Sequence, residues 1–283
     1  MVSQSVVISL YVALTIFISF PILLLVIYKI KTKTSAMPYI VGAVIYFIFA
    51  MLGETLCHGV FLNESYPMAS VINGNVFLYV LYHALVTGIF EGFGIYFTYR
   101  AIMKPYDKRE NGVTFGFGFA GMECLLLEGV SMFTNIFFVS LLNEEGIDGF
   151  KASFVDVGAA QTSTLSEVDE LIEKLTSIGI GDIALSCLER MIYFVLQLSI
   201  CVLIYYGVRK HAKQIVWAGF IARSVCAIPS ALVSYIGNVN PIVGMSVLAL
   251  LTAVVFYAAL KLHKNYNGPL QFMTVKEIFV KKE

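Results

Sequence analysis

The sequence predicts an all-α protein, a polytopic membrane bundle of about seven transmembrane helices with the N-terminus outside and the C-terminus cytoplasmic. Three observations carry this. Hydrophobic residues make up 58% of the 283 residues and charged residues only 13%, against roughly 25% charged in a soluble domain; mean hydropathy is +0.81. Runs of ~20 apolar residues recur along the chain, each long enough to cross ~30 Å of hydrocarbon. The loops between these runs alternate between ones rich in Lys and Arg and ones nearly free of them.

Taken in order, the spans are 5–29, 38–62, 75–99, 113–141, 184–208, 215–236 and 241–262, within a single membrane domain, 1–283. The first begins without a basic n-region and is too long for a signal h-region, so it reads as a retained helix. The fourth is over-long for one crossing, so it tilts or its last turns leave the membrane. Lys29, Lys31 and Lys33 follow the first span, and Arg100, Lys104, Lys108 and Arg109 follow the third. Arg209, Lys210 and Lys213 follow the fifth, and a basic tail, 263–283, follows the seventh. The alternate loops hold only Lys151 and Lys174. This alternation sets the orientation by the positive-inside rule. A formal net charge of zero gives no reason to expect nucleic acid as a partner; the bilayer is the first partner.

Segment 143–183 is the one sizeable extramembrane piece and reads as an extracytoplasmic loop. It opens acidic and glycine-containing (Glu144, Glu145, Asp148), and a short amphipathic helix follows from about residue 165. Thr164 and Glu167 have capping-box spacing. Leu165, Val168, Leu171, Ile172 and Leu175 make the apolar stripe, with Glu167, Asp169, Glu170 and Glu173 on the other face. Either this helix is a lid over an outward cavity, or it lies on the bilayer surface or on its own protein. The five cysteines form no CxxC pair, so neither a structural disulfide nor a thiolate metal site is expected. Asn63-Glu64-Ser65 is a formal glycosylation sequon.

Ionisable residues inside the spans are the functional candidates, because a carboxyl at the bilayer centre costs roughly 2.5–3.5 kcal/mol even on lenient insertion scales. Glu91 lies in GIFEGFGIYF (Gly88 to Phe97) and Glu123 in GFGFAGMECLLLEG (Gly116 to Gly129). Arg223 falls at similar depth, so the expectation is a buried ion pair of Arg223 with Glu91 or Glu123, with Glu128 off that face. Such a pair either serves chemistry or locks helices together. Nearer the outer ends lie Glu54, His58, His83, Glu189 and Arg190, an outer polar cluster if they meet. A His/His/Glu set suits Zn²⁺. A mutually hydrogen-bonded structural group is the other reading.

Four stretches of the chain resemble the YhfC family of bacterial intramembrane peptidases, relatives of the CAAX-processing glutamic proteases. Phe90 to Tyr96 fits the family's EExxR box with Glu91 as its first glutamate, and Gly116 to Glu123 fits a GxGHGGxE box ending in Glu123. Glu189-Arg190 fits a Glu-Arg stretch followed by a histidine two turns on, and Arg223 to Pro229 fits an HxxxD box. The resemblance covers nearly the full length and implies a bacterial cytoplasmic membrane location. Within this frame several catalytic positions are degenerate: Gly92 for the second glutamate, Ile95 for the arginine, Phe119 and Gln197 for histidines, Arg223 for a histidine and Ala227 for the aspartate. A glutamic-type site needs a carboxylate base and polar groups that hold water and the oxyanion. Glu91 and Glu123 remain as candidate catalytic residues without most of that company.

The resemblance therefore implies a scaffold or pseudoprotease that binds another membrane protein or a single-span segment. Gly116, Gly118 and Gly121 form a small-residue face that suits close helix approach, by a partner or by the chain's own bundle. One alternative is an active peptidase cleaving a membrane-embedded or prenylated substrate with Glu91 as base. No cofactor is required, and Zn²⁺ enters only under that alternative, with His58 and His83 as ligands. A transporter or receptor is the other alternative, although no repeat halves or paired broken helices are evident.

Overall fold

The structure, a computed structural model, describes residues 1–63, 65–156, 162–237 and 240–265; at 155, 156 and 162–165 it describes the backbone alone. Among these residues every regular element is helical. The order is α1 (Gln4–Thr32), α2 (Met37–Ile45), a π-helical segment (Tyr46–Gly53), α3 (Glu54–Phe61), α4 (Pro67–Asn73), α5 (Val76–Ala101) and α6 (Arg109–Glu123). A second π-helical segment (Cys124–Gly129) leads into α7 (Val130–Asp156), followed by α8 (Thr162–Ser177), α9 (Ile180–Arg209), α10 (Lys213–Ile236) and α11 (Pro241–Lys264). Seven helical stretches are long and apolar enough to cross a membrane, one for each predicted span. The basic tail beyond residue 265 lies outside the described residues, as do Glu64 of the sequon and the Thr164 and Leu165 side chains.

The fourth stretch differs from expectation. The predicted span ends at 141 in a loop, yet the chain stays helical from Arg109 to Phe154. The acidic run is interrupted only at Gly146, whose φ of 72° and ψ of 179° break α7. That backbone conformation is open to glycine and costly to any other residue. Beyond it Phe150 is fully buried. Phe154 packs 5.1 Å from it, and Phe138 meets both. Two aromatic residues at i and i+4 thus hold the segment helical after the break.

The chain divides into two compact units. The first comprises residues 1–20 and 124–191. Its core is built from three stripes with the same 4-then-3 spacing: Val6, Leu10 and Ala13 of α1; Met132, Ile136 and Val139 of α7; Val168, Ile172 and Leu175 of α8. That spacing keeps each stripe on one helix face. The amphipathic helix α8 therefore lies on its own protein, with Glu167, Asp169, Glu170 and Glu173 exposed. Asn143 pins the start of the chain. Its Oδ1 accepts from the Val2 amide at 2.8 Å and its Nδ2 donates to the Val2 carbonyl at 3.1 Å. At about 1 kcal/mol per net hydrogen bond, Asn143→Ala is expected to cost ~1–2 kcal/mol, read as a lower unfolding midpoint in detergent.

The second unit runs from Pro21 to Glu123 and resumes at Ile192. Glycines set its helix spacing. A Cβ on Gly88 of α5 would sit 1.9 Å from Ser224 Oγ of α10, and one on Gly92 would sit 2.8 Å from the Phe220 ring. Where α2 meets α6, a Cβ on Gly42 would lie 2.2 Å from the Phe115 carbonyl oxygen. Asn75 starts α5 squarely, its side chain accepting from the Phe77 and Leu78 amides.

Candidate functional site

The close approach of α5 and α10 determines what Glu91 meets. Gly88 and Gly92 flank it, and the residue of α10 packed on Gly88 is Ser224, the neighbour of Arg223. Glu91 is 3% exposed and Arg223 5%. The guanidinium takes the carboxylate with both prongs, Nε donating to Oε2 at 2.6 Å and Nη2 to Oε1 at 2.7 Å. This is the fork-to-fork geometry that makes arginine–carboxylate pairs strong. Of the two partners the sequence allows for Arg223, Glu91 makes the hydrogen-bonded pair. Glu123, 2% exposed, lies within Coulombic reach of Arg223.

Gln197 of α9 completes the group. Fully buried, it donates Nε2 to Glu91 Oε2 at 2.6 Å. Read from the sequence alone it is only a missing histidine; in the fold it is a third donor on the same carboxylate. Tyr193, one helical turn before it, places its ring 5.9 Å from Arg223 Cζ, within cation–π range. The Tyr193 hydroxyl lies 2.6 Å from Ser230 Oγ of α10. No sequence pattern flags Gln197 as a ligand of Glu91, because the two are 106 residues apart.

The other degenerate positions are core. Ile95 and Phe119 are fully buried, Ala227 is 8% exposed, and Gly92 is covered by Phe220. Phe119 packs edge-on against Tyr46 at 5.2 Å and stacks on Phe115 at 6.1 Å. The glycine face of α6 is likewise used within the chain. A Cβ on Gly116 would meet Leu198, one on Gly118 the Tyr39 backbone, and one on Gly121 Pro21. Of the two uses the sequence allows for these glycines, packing against the chain's own helices is the one seen.

The outer polar residues divide. Glu54, His58 and His83 belong to the second unit, where Thr87 donates to Glu54 at 3.2 Å and His58 Nδ1 lies 3.0 Å from the Tyr82 hydroxyl. The two imidazole centroids are 5.0 Å apart, with the Tyr79 ring tilted against His83 at 4.3 Å. Glu189 and Arg190 belong to the first unit. There Arg190 Nη2 donates to Glu128 at 2.9 Å, and Ser186, one turn before it, donates to the other carboxylate oxygen at 2.9 Å. Glu128, which the sequence sets aside, is thus the partner of Arg190. Among the described residues no group of three or more His, Cys, Asp or Glu side chains is placed to hold a metal ion; His58 and His83 offer two nitrogens.

A family model described as YhfC intramembrane metalloprotease matches residues 16–266. The chain is also similar to the uncharacterized membrane protein YhfC of Bacillus subtilis (strain 168), 26% identical over 232 residues that cover 82% of this chain and 86% of that relative. No solved structure matches it. The family match begins inside the first membrane-crossing helix and ends beyond the seventh, so the chain, a multi-pass protein of a bacterial membrane, belongs to the YhfC family.

Proposed function

We propose that this chain is a YhfC-family protein that has lost peptidase chemistry and kept the membrane scaffold, holding a membrane-embedded segment of another protein without cutting it. The observation that carries this reading is the three-fold grip on Glu91. An ionised carboxylate offers about four acceptor sites, and Arg223 and Gln197 occupy three of them. A general base must reach the proton it takes, directly or through one water. This carboxylate is instead committed to a guanidinium.

The residues present do not fit a catalytic metal at this place. A hydrolytic metal site wants three protein ligands and an open position. Here a cationic side chain covers both oxygens of Glu91, and the positions where the family resemblance expects histidines and an aspartate are held by Phe119, Gln197, Arg223 and Ala227. The outer His58–His83 pair lacks a third ligand among the described residues. Because α6 spends its glycines on its own helices, a bound segment has to use another face of the bundle.

The test compares wild type with Glu91→Gln in the native membrane. Each is crosslinked and purified in detergent, and co-purifying chains are identified by mass spectrometry. An intact partner, recovered equally with both per amount of folded, purified chain, is the expected result. A partner cleaved by the wild type and trapped uncut on Glu91→Gln makes Glu91 a working base and overturns the proposal.

A further inference from the structure

A cavity of about 700 Å³ opens among the C-terminal ends of α5 and α9 and the N-terminal end of α10. That is within the ~300–1,000 Å³ of small-molecule sites. Arg100, Lys104, Arg209 and Lys213 line it, and no acidic side chain does. Arg209 is committed to the loop, donating to the Met103, Lys104 and Tyr106 carbonyls. Arg100 uses Nη1 on the Tyr96 hydroxyl and keeps its other donors. Lys104 and Lys213 are exposed.

The wall beneath this rim is aromatic: Phe93 and Tyr96 on α5, Trp217 and Phe220 on α10. Phe93 precedes Arg100 by one heptad, and Phe220 follows Lys213 by the same interval. At 1.5 Å per residue the aromatic wall therefore reaches ~10 Å below the cationic rim on both helices. Trp217 is 63% exposed. The ends of three membrane-crossing helices form the site, so the rim lies at headgroup level and the wall at acyl level. Ordinary interfacial belts of aromatic and basic residues decorate a helix surface; here the same residues enclose a concave space.

We propose that this cavity binds an anionic phospholipid of the surrounding leaflet. The phosphate sits on Arg100, Lys104 and Lys213, and the glycerol and first acyl carbons lie along Phe93, Trp217 and Phe220. The charge matches an anionic headgroup, and the depth of the aromatic wall distinguishes a lipid from a free phosphate, which has nothing to place there. Basic pockets between membrane helices are an established way of holding such headgroups. The side concerned is the one the sequence assigns to the cytoplasm.

Trp217 is the chain's single tryptophan, so its fluorescence reads this site alone. The purified full chain is reconstituted in phosphatidylcholine nanodiscs and titrated with phosphatidylglycerol or phosphatidylcholine carrying brominated acyl chains. Quenching by the brominated phosphatidylglycerol is expected at much lower mole fraction, with a preference of roughly fivefold for each lysine at low salt. Lys104→Gln/Lys213→Gln, both exposed positions, is expected to lose most of that preference, and Lys104→Arg/Lys213→Arg to keep it. Equal quenching by the two lipids, or a preference that survives the glutamine variant, overturns the proposal. So does inorganic phosphate shifting the Trp217 emission in phosphatidylcholine alone, which would assign the site to a free anion. Each arm is independent of whether any partner is cleaved.

Discussion

Arg223→Ala is expected to cost about 3–5 kcal/mol of stability, the penalty of leaving one member of a buried ion pair without its counter-charge. The size follows from the surroundings. Glu91 is almost completely enclosed, two of the three donors on it come from Arg223, and Gln197 alone cannot replace a charge. Glu91→Gln removes the opposite member and strands the guanidinium, at comparable cost. Replacing both at once by apolar residues of similar length, Glu91→Leu/Arg223→Met, is expected to recover most of the loss, because the pair's desolvation offsets much of its mutual attraction. The measurement is the unfolding midpoint in one detergent of wild type, Arg223→Ala, Glu91→Gln, Glu91→Leu, Arg223→Met and Glu91→Leu/Arg223→Met, the last three analysed with wild type as a double-mutant cycle. A large coupling makes the pair structural. An Arg223→Ala protein within about 1 kcal/mol of wild type, well below the penalty for stranding a buried charge, would mean that the carboxylate is not held by the arginine and is free for chemistry.

The sequence reveals the bundle far better than the site. Seven apolar runs predict seven membrane-crossing helices because length and hydropathy are local properties, and the amphipathic stripe of α8 is visible for the same reason. The end of the fourth span escapes this logic: Glu144, Glu145 and Gly146 look like a loop, and the packing of Phe150 and Phe154 against Phe138, a tertiary contact, supports the helix beyond them. Partner choice escapes it too. Arg223 meets Glu91 because Gly88 and Gly92 bring α5 and α10 together at that level, a tertiary fact with no signature in spacing. Gln197 and Glu128 are missed for a related reason: each acts on a residue far away in sequence, and pattern reading looks along one helix at a time. The family frame helps with position and misleads about role, since it presents Gln197 as a loss when the fold uses it as a donor.

Gly118→Ala is the second substitution expected to be severe, and it also decides what the glycine face of α6 is for. The added Cβ would lie 1.9 Å from the Tyr39 carbonyl oxygen and 2.7 Å from its carbon. Both struck atoms are backbone, so no rotamer change relieves the overlap, and α2 and α6 must separate. Ordinary overpacking costs ~1–3 kcal/mol; with backbone struck on the facing helix, ~3 kcal/mol or more is expected. Gly42 makes the reciprocal contact, its Cβ position 2.2 Å from the Phe115 carbonyl oxygen, so Gly42→Ala should be equally damaging and the two should not add. Gly59 of α3 supplies the control, since nothing lies within 4 Å of its Cβ position. There alanine is expected to be neutral or to stabilise by up to ~1 kcal/mol through helix propensity. Thermal unfolding of the three variants separates the cases. If Gly118→Ala instead unfolds like wild type while losing a co-purifying membrane partner, the face serves an outside helix and the packing of α2 on α6 is incidental to it. If the protein loses stability and the partner together, the glycines belong to the scaffold, and the docking face has to be sought on the lipid-facing sides of the other helices.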